Sequence, residues 1–121
     1  MRRTRKDNKL ITPNSSLKII AAVGYFDIIA LEKSARMILT DSGGMQKEAY
    51  WLKVPCITLR DETEWVETVE NGWNILTGAD RDHIIETVRT FNVPSDHPPL
   101  YGYGKAVGKI KNVLCQKALN L

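Results

Sequence analysis

Apolar residues alternate along this chain between short continuous runs and stretches with helical spacing. Leu17-Lys-Ile-Ile-Ala-Ala22 is a run suited to a buried strand, although periodicity alone leaves a helix open there. Gly24 punctuates it. Tyr25, Ile28, Leu31 and Ala35 then recur at helical spacing, widened by Phe26, Ile29 and Ala30, which predicts a core-facing helix. Met37-Ile-Leu-Thr40 predicts a second strand and residues 43–52 a second helix. Val54-Pro-Cys-Ile-Thr-Leu59 predicts a third strand, with Pro55 at the start, where its missing N–H breaks no ladder.

Beyond that strand lies the charged segment Arg60-Asp-Glu-Thr-Glu64. Trp65, Val66 and Val69 suggest a short helix stopped by Asn71-Gly72, a pair suited to left-handed termination. Trp73-Asn-Ile-Leu-Thr77 reads as a fourth strand. Asp80 is placed to cap a helix whose apolar face is Ile84, Ile85, Val88 and Phe91. Residues 92–104, with Pro94, Pro98 and Pro99, read as a loop, and 105–120 as a final helix with Val107, Ile110, Val113, Leu114 and Ala118 on one face.

About four strands joined through helices imply an α/β, Rossmann-like parallel sheet with right-handed crossovers. Ligands of such open sheets bind beyond the carboxyl ends of the strands. That rule gathers Val23-Gly-Tyr25, Asp41-Ser-Gly-Gly44 and Arg60-Asp-Glu-Thr-Glu64 on one rim.

The 121 residues suit a single domain, 1–121, and the apolar share of 43% is that of an ordinary globular chain rather than a membrane protein. No apolar run approaches the roughly 20 residues of a membrane span, and the first residues lack a secretory pattern, so the cytoplasm is the expected location. Much of the net charge of +3 sits in Arg2, Arg3, Arg5 and Lys6, within a basic and polar lead-in over residues 1–16 that includes Pro13. Without aromatic interleaving or a basic helix face, that lead-in points away from nucleic acid. Cys56 and Cys115 have no companion at metal or redox spacing, so both are expected to be small buried apolar residues and no metal is expected.

The chemistry concentrates in Ile38-Leu-Thr-Asp-Ser-Gly-Gly-Met-Gln-Lys-Glu-Ala49. A strand ends there in a double-glycine turn and a helix starts, which leaves N–H groups without partners at the positive end of the helix dipole. Ser42 is the candidate cap. Gly43 and Gly44 let a ligand approach the main chain. Glu48 lies about 40° around the axis from Gly44 and leans toward the N-terminus, where a carboxylate can accept bonds from sugar hydroxyls. The same residues also fit a well-capped connection with no ligand. The turn is neither a dinucleotide fingerprint nor a Walker loop. Arg60 and Glu64 suit either ligand contact or pairing with each other; His83 and His97 are expected in solvent, and Trp51, Trp65 and Trp73 in the core or at a domain interface.

Several blocks occur together in order: Leu39-Thr-Asp-Ser-Gly-Gly-Met-Gln-Lys-Glu-Ala49, Val54-Pro-Cys56, Leu59-Arg-Asp-Glu-Thr-Glu64, Val69-Glu-Asn-Gly72, then Tyr101-Gly102 and Gly104-Lys105-Ala106. Together they resemble the C-terminal half of the non-hydrolysing UDP-N-acetylglucosamine 2-epimerase family, from Arg3-Thr-Arg-Lys6 to the last helix. The resemblance implies one half of a glycosyltransferase-B type protein, with a UDP-sugar in the cleft between two Rossmann-like domains. It assigns diphosphate contact to Ser42, Gly43 and Gly44, ribose hydroxyls to Glu48, and uracil to main chain near Ile28; Arg60 joins the set from the neighbouring rim segment.

The reaction so implied inverts C2 of the sugar, interconverting UDP-N-acetylglucosamine and UDP-N-acetylmannosamine, by elimination of UDP and re-addition, with no cofactor. The chain begins within the family's Pro-Arg-Thr-Arg segment, so the resemblance leaves the acid-base residues of the N-terminal half outside it, and the isolated chain is expected to bind UDP without epimerising. Trp65 stands where many members carry a phosphate-contacting arginine, Val23 where many carry glutamine, and Tyr103 where aspartate is usual. Further partners implied are an N-terminal domain or a second copy of the chain. The alternatives are a stand-alone nucleotide-sugar-binding module and the C-terminal half of a UDP-sugar glycosyltransferase.

Overall fold

The computed structural model describes residues 16–102 and 104–119, so the basic lead-in, the Pro13 loop, Tyr103 and the end of the last helix lie outside the described residues. The elements run α1 (Tyr25–Ser34), β1 (Ile38–Thr40), α2 (Gly43–Trp51), β2 (Cys56–Thr58), α3 (Val66–Glu70), β3 (Asn74–Leu76), α4 (Arg81–Thr90) and α5 (Ala106–Leu119). Every element between α1 and α5 falls where the hydrophobic pattern predicts it.

The three strands pair in parallel in the order β1-β2-β3, with Ile38 opposite Cys56 and Cys56 opposite Asn74. All of β2 is buried, as befits the central strand of a sheet covered on both faces. The helix α2 lies against β1 and β2, α4 against β2 and α3 against β3. The apolar centre is Ile38, Ala49, Val54 and Cys56, with Ala35, Met45 and Leu52 closing around it.

Three expectations are corrected. Residues 17–22 form no strand, and Ile19 and Ile20 are exposed. A strand there would need α1 to fold back over the sheet, whereas α1 docks chiefly on α2. As a result β1 is an edge of the sheet, and Leu39 on it is 42% exposed. For the same reason α1 does not bury its apolar stripe: Phe26 is 87% exposed, and the residue it buries is Glu32. Cys56 is buried as expected, but Cys115 is exposed, because none of α5's described residues is buried. Burial pushes the Cys56 thiol up to about 11, so it stays protonated.

Chain reversals follow the local chemistry. Asn71 ends α3 and Gly72 continues at φ +78°, the left-handed step anticipated for this pair. The Asp80 carboxylate accepts the His83 N–H at 2.9 Å and starts α4. No helix among the described residues is long and apolar enough to cross a membrane.

Candidate functional site

At the carboxyl end of β1, the Thr40 hydroxyl accepts the Ser42 N–H at 3.0 Å and sets the turn. The Ser42 hydroxyl in turn accepts the Met45 N–H at 3.4 Å, and its carbonyl accepts the Gln46 N–H at 3.2 Å. Ser42 is thus the cap of α2. The N–H groups of Gly43 and Gly44 make no hydrogen bond among the described residues. Two free donors therefore stand at the positive end of a nine-residue helix, an arrangement that attracts an anion.

The charged segment after β2 closes on this turn. The Leu59 N–H bonds to the Thr40 carbonyl at 2.8 Å. Arg60 pairs with Glu64 at 3.2 Å, so its guanidinium is engaged. The Glu64 carboxylate lies against Gly43 so closely that a Cβ there would collide with it, and the Trp65 indole nitrogen is 3.5 Å from the same Cβ position. That buried indole N–H has no acceptor among the described residues. Close approach of the flexible Glu64 carboxylate, rather than an unusual backbone angle, is what favours glycine at position 43.

A buried polar network fixes the segment in place. The Thr63 hydroxyl donates to the Gln46 side-chain oxygen at 2.6 Å and the Asn74 amide donates to the same oxygen at 3.1 Å. Asn74 also donates to the Thr68 hydroxyl at 3.1 Å and accepts from the Thr58 hydroxyl at 2.7 Å. The Trp65 N–H bonds to Thr63 Oγ1 at 3.0 Å. Five side chains thereby tie α2, β2, α3 and β3 to the charged segment.

Beside the turn opens a cavity of about 650 Å³. Gly44, Lys47 and Glu48 line it from α2, Tyr25, Phe26 and Ile29 from α1, and Tyr101 from the long loop. The Lys47 ammonium sits 5.1 Å from the Trp65 ring centre and 5.2 Å from that of Tyr101, within cation-π range of both. Glu32 lies at the back of Glu48. Its carboxyl is raised to about 7, first by burial, then by the hydrogen bond and charge of Glu48.

Of the residues singled out from sequence, Ser42, Gly43, Gly44 and Glu48 come together around this turn and cavity. Ile28 is half-buried in the first turn of α1, its N–H given to the Gly24 carbonyl at 3.1 Å, one residue before the cavity-lining Ile29. Arg60 stands behind Glu64 and does not line the cavity. His97 is a correction. It is half-buried, stacked on Tyr50 with ring centres 4.2 Å apart and hydrogen-bonded to the Tyr50 carbonyl at 2.6 Å. The Trp73 indole N–H donates to the Asp96 carbonyl at 2.8 Å, and Tyr50 donates to that of Pro98. Those bonds dock the loop that delivers Tyr101. Among the tryptophans, Trp73 is buried, Trp65 half-buried and Trp51 exposed.

Sequence reasoning missed Glu32, Lys47, Tyr101 and the Gln46-Thr63-Asn74 network as contributors. The available signal was Gln46, an amide on the face of α2 that packs toward the sheet.

The sequence model of a family described as UDP-N-acetylglucosamine 2-epimerase matches residues 2–115. A UDP-N-acetylglucosamine 2-epimerase homolog of Methanococcus maripaludis is 53% identical over 98 residues, covering 81% of this chain and 27% of that protein. The UDP-2,3-diacetamido-2,3-dideoxy-D-glucuronate 2-epimerase of Pseudomonas aeruginosa is 45% identical over 83% of this chain and 29% of its own length. Among solved structures, the UDP-GlcNAc 2-epimerase of Methanocaldococcus jannaschii in complex with UDP-GlcNAc and UDP superposes with a TM-score of 0.75 and 48% identity, covering 86% of this chain and 29% of that one. The chain thus spans less than a third of the length of these relatives.

Proposed function

The chain belongs to the UDP-N-acetylglucosamine 2-epimerase family, and from that premise we propose that it holds the UDP end of a nucleotide sugar during inversion at C2. The observation that carries this reading is the pair of free amides, Gly43 and Gly44, at the start of α2, with Gly44 and Glu48 together on one cavity wall. The diphosphate lies over the amides, with the Ser42 hydroxyl beside it. Glu48 accepts the ribose hydroxyls, and the base is directed toward the main chain near Ile28. Arg60 orders the rim by holding Glu64, and Lys47, clamped by two rings, supplies positive charge at the same mouth.

In the epimerisation, loss of the C2 proton and cleavage of the C1–O bond expel UDP, whose β-phosphate takes up the bonding pair. The glycine amides and the helix dipole are oriented to stabilise that developing charge. Re-addition of UDP after reprotonation on the other face completes the inversion. The groups that move the C2 proton are assigned to an N-terminal domain, such as the longer relatives have room for. That division makes the 121-residue chain a binding unit that depends on this partner for turnover.

Calorimetric titration with UDP tests the reading. Binding at up to millimolar ligand, weakened about ten- to a hundredfold by Glu48→Ala through loss of charged hydrogen bonds, supports it. No heat at any concentration overturns it. Solvent deuterium incorporation at the sugar C2 by this chain alone would refute the division of labour.

A further inference from the structure

The nucleotide reading leaves Glu32 unused, although a carboxyl in its position demands an explanation. It is 3% exposed, and neither of its oxygens meets a hydrogen-bond donor among the described residues. The groups that face it are Glu48 from α2 and, from β2, the Cys56 thiol, whose proton it holds on more tightly. Among the described residues no cation pairs with either carboxyl, the ion pairs being Arg60 with Glu64 and Arg81 with Asp82. Buried with no cation beside it, a charged Glu32 has nothing to offset its loss of water, and the negative charge of the half-buried Glu48 in front of it adds repulsion, so Glu32 retains its proton.

We propose that Glu32 is a positioning residue for this site: its protonated carboxyl donates to Glu48 and holds the Glu48 carboxylate turned toward the ribose hydroxyls. Glu48 sits at the cavity wall with one side open to ligand and the other backed by α1. A proton on Glu32 converts the back of that wall from a repelling acceptor into a donor. Once the proton is lost, the two charges drive Glu48 out of its binding posture. Affinity therefore declines as pH rises through neutrality, and Glu32→Gln, whose amide donates at every pH, removes the dependence.

The inference rests on the nucleotide reading, and the test separates the two. The 121-residue chain, wild type, Glu32→Gln and Glu32→Met, is titrated with UDP-N-acetylglucosamine between pH 6 and pH 8. That ligand suits the purpose because both its phosphates are esterified, whereas the terminal phosphate of UDP itself titrates near pH 6. Circular dichroism establishes that each variant is folded. For the wild type, a single essential proton gives a Kd up to about tenfold higher at pH 8 than at pH 6. Glu32→Gln is flat and binds as the wild type does at pH 6; Glu32→Met is flat and weak. A flat wild-type profile, or a Glu32→Gln profile as steep as the wild type's, overturns the role of Glu32 while leaving the nucleotide site intact. Absence of binding by all three proteins at both pH values overturns both.

Discussion

The carboxyl of Glu32 meets that of Glu48 across the interface of α1 and α2, with both Glu32 oxygens lacking a donor and Glu48 alone reaching the cavity. Its consequence for folding is independent of any ligand. The folded state holds the Glu32 proton up to about pH 7, while the unfolded chain releases it near 4.5. The native state thus binds the extra proton between those values, and stability falls as pH rises across that window and levels off above it. The full drop has an upper bound of about 3 kcal/mol. Urea midpoints for the wild type should decline from pH 5 to pH 8, and those of Glu32→Gln should decline less. Equal slopes would count against a shared proton.

The two glycines of the turn differ in what they protect. Gly43→Ala forces the Glu64 carboxylate aside and with it the pairing to Arg60, whereas a Cβ at Gly44 meets only the Ser42 hydroxyl, at 3.8 Å. Neither change should cost more than about 1 kcal/mol of stability, since Glu64 is an exposed, flexible chain end and alanine favours a helix. If the proposed site holds the nucleotide, affinity should drop in Gly44→Ala, because Gly44 lines the cavity, whereas the methyl of Gly43→Ala takes the place of the Glu64 carboxylate. Retained affinity in Gly44→Ala, measured by calorimetry, would remove that turn from the binding site.

Asn74→Ala should be the more damaging change. It strips partners from Thr58, Thr68 and Gln46 at once, and buried polar groups left unpaired cost about 1–3 kcal/mol. Denaturant unfolding monitored by tryptophan fluorescence will read the loss, and a change below about 0.5 kcal/mol would show that the network is dispensable.

The final helix presents Val107, Ile110, Val113 and Leu114 to solvent. Apolar faces of that kind associate. Sedimentation should reveal concentration-dependent self-association of this chain, relieved by the double substitution Ile110→Glu and Leu114→Lys. A strictly monomeric protein at high concentration would refute the expectation.

Much of the scaffold was legible because local chemistry and tertiary packing agree along it. Ser42 before two glycines, Asp80 before Arg81, and Asn71-Gly72 after α3 each mark a helix end through a bond or angle that the adjacent residues alone determine. Periodicity misjudged α1 because it identifies an apolar stripe, not what the stripe will face. Leu31 and Phe26 point to solvent, and the helix docks through the side carrying Glu32. The Leu17–Ala22 run shows the same limit for strands, since apolar content cannot supply the covering layer that a buried strand needs. At the candidate site, the capped turn with its two free amides was visible in four consecutive residues. His97 and Tyr101 were not, because the groups that dock their loop, Tyr50 and Trp73, lie far away in sequence.

The Gln46-Thr63-Asn74 network also constrains how such a domain changes over generations. Each of these side chains answers a hydrogen-bonding need of another, so a substitution at one exposes a deficit at its neighbours that a joint replacement would avoid. The three positions should drift as a set or not at all.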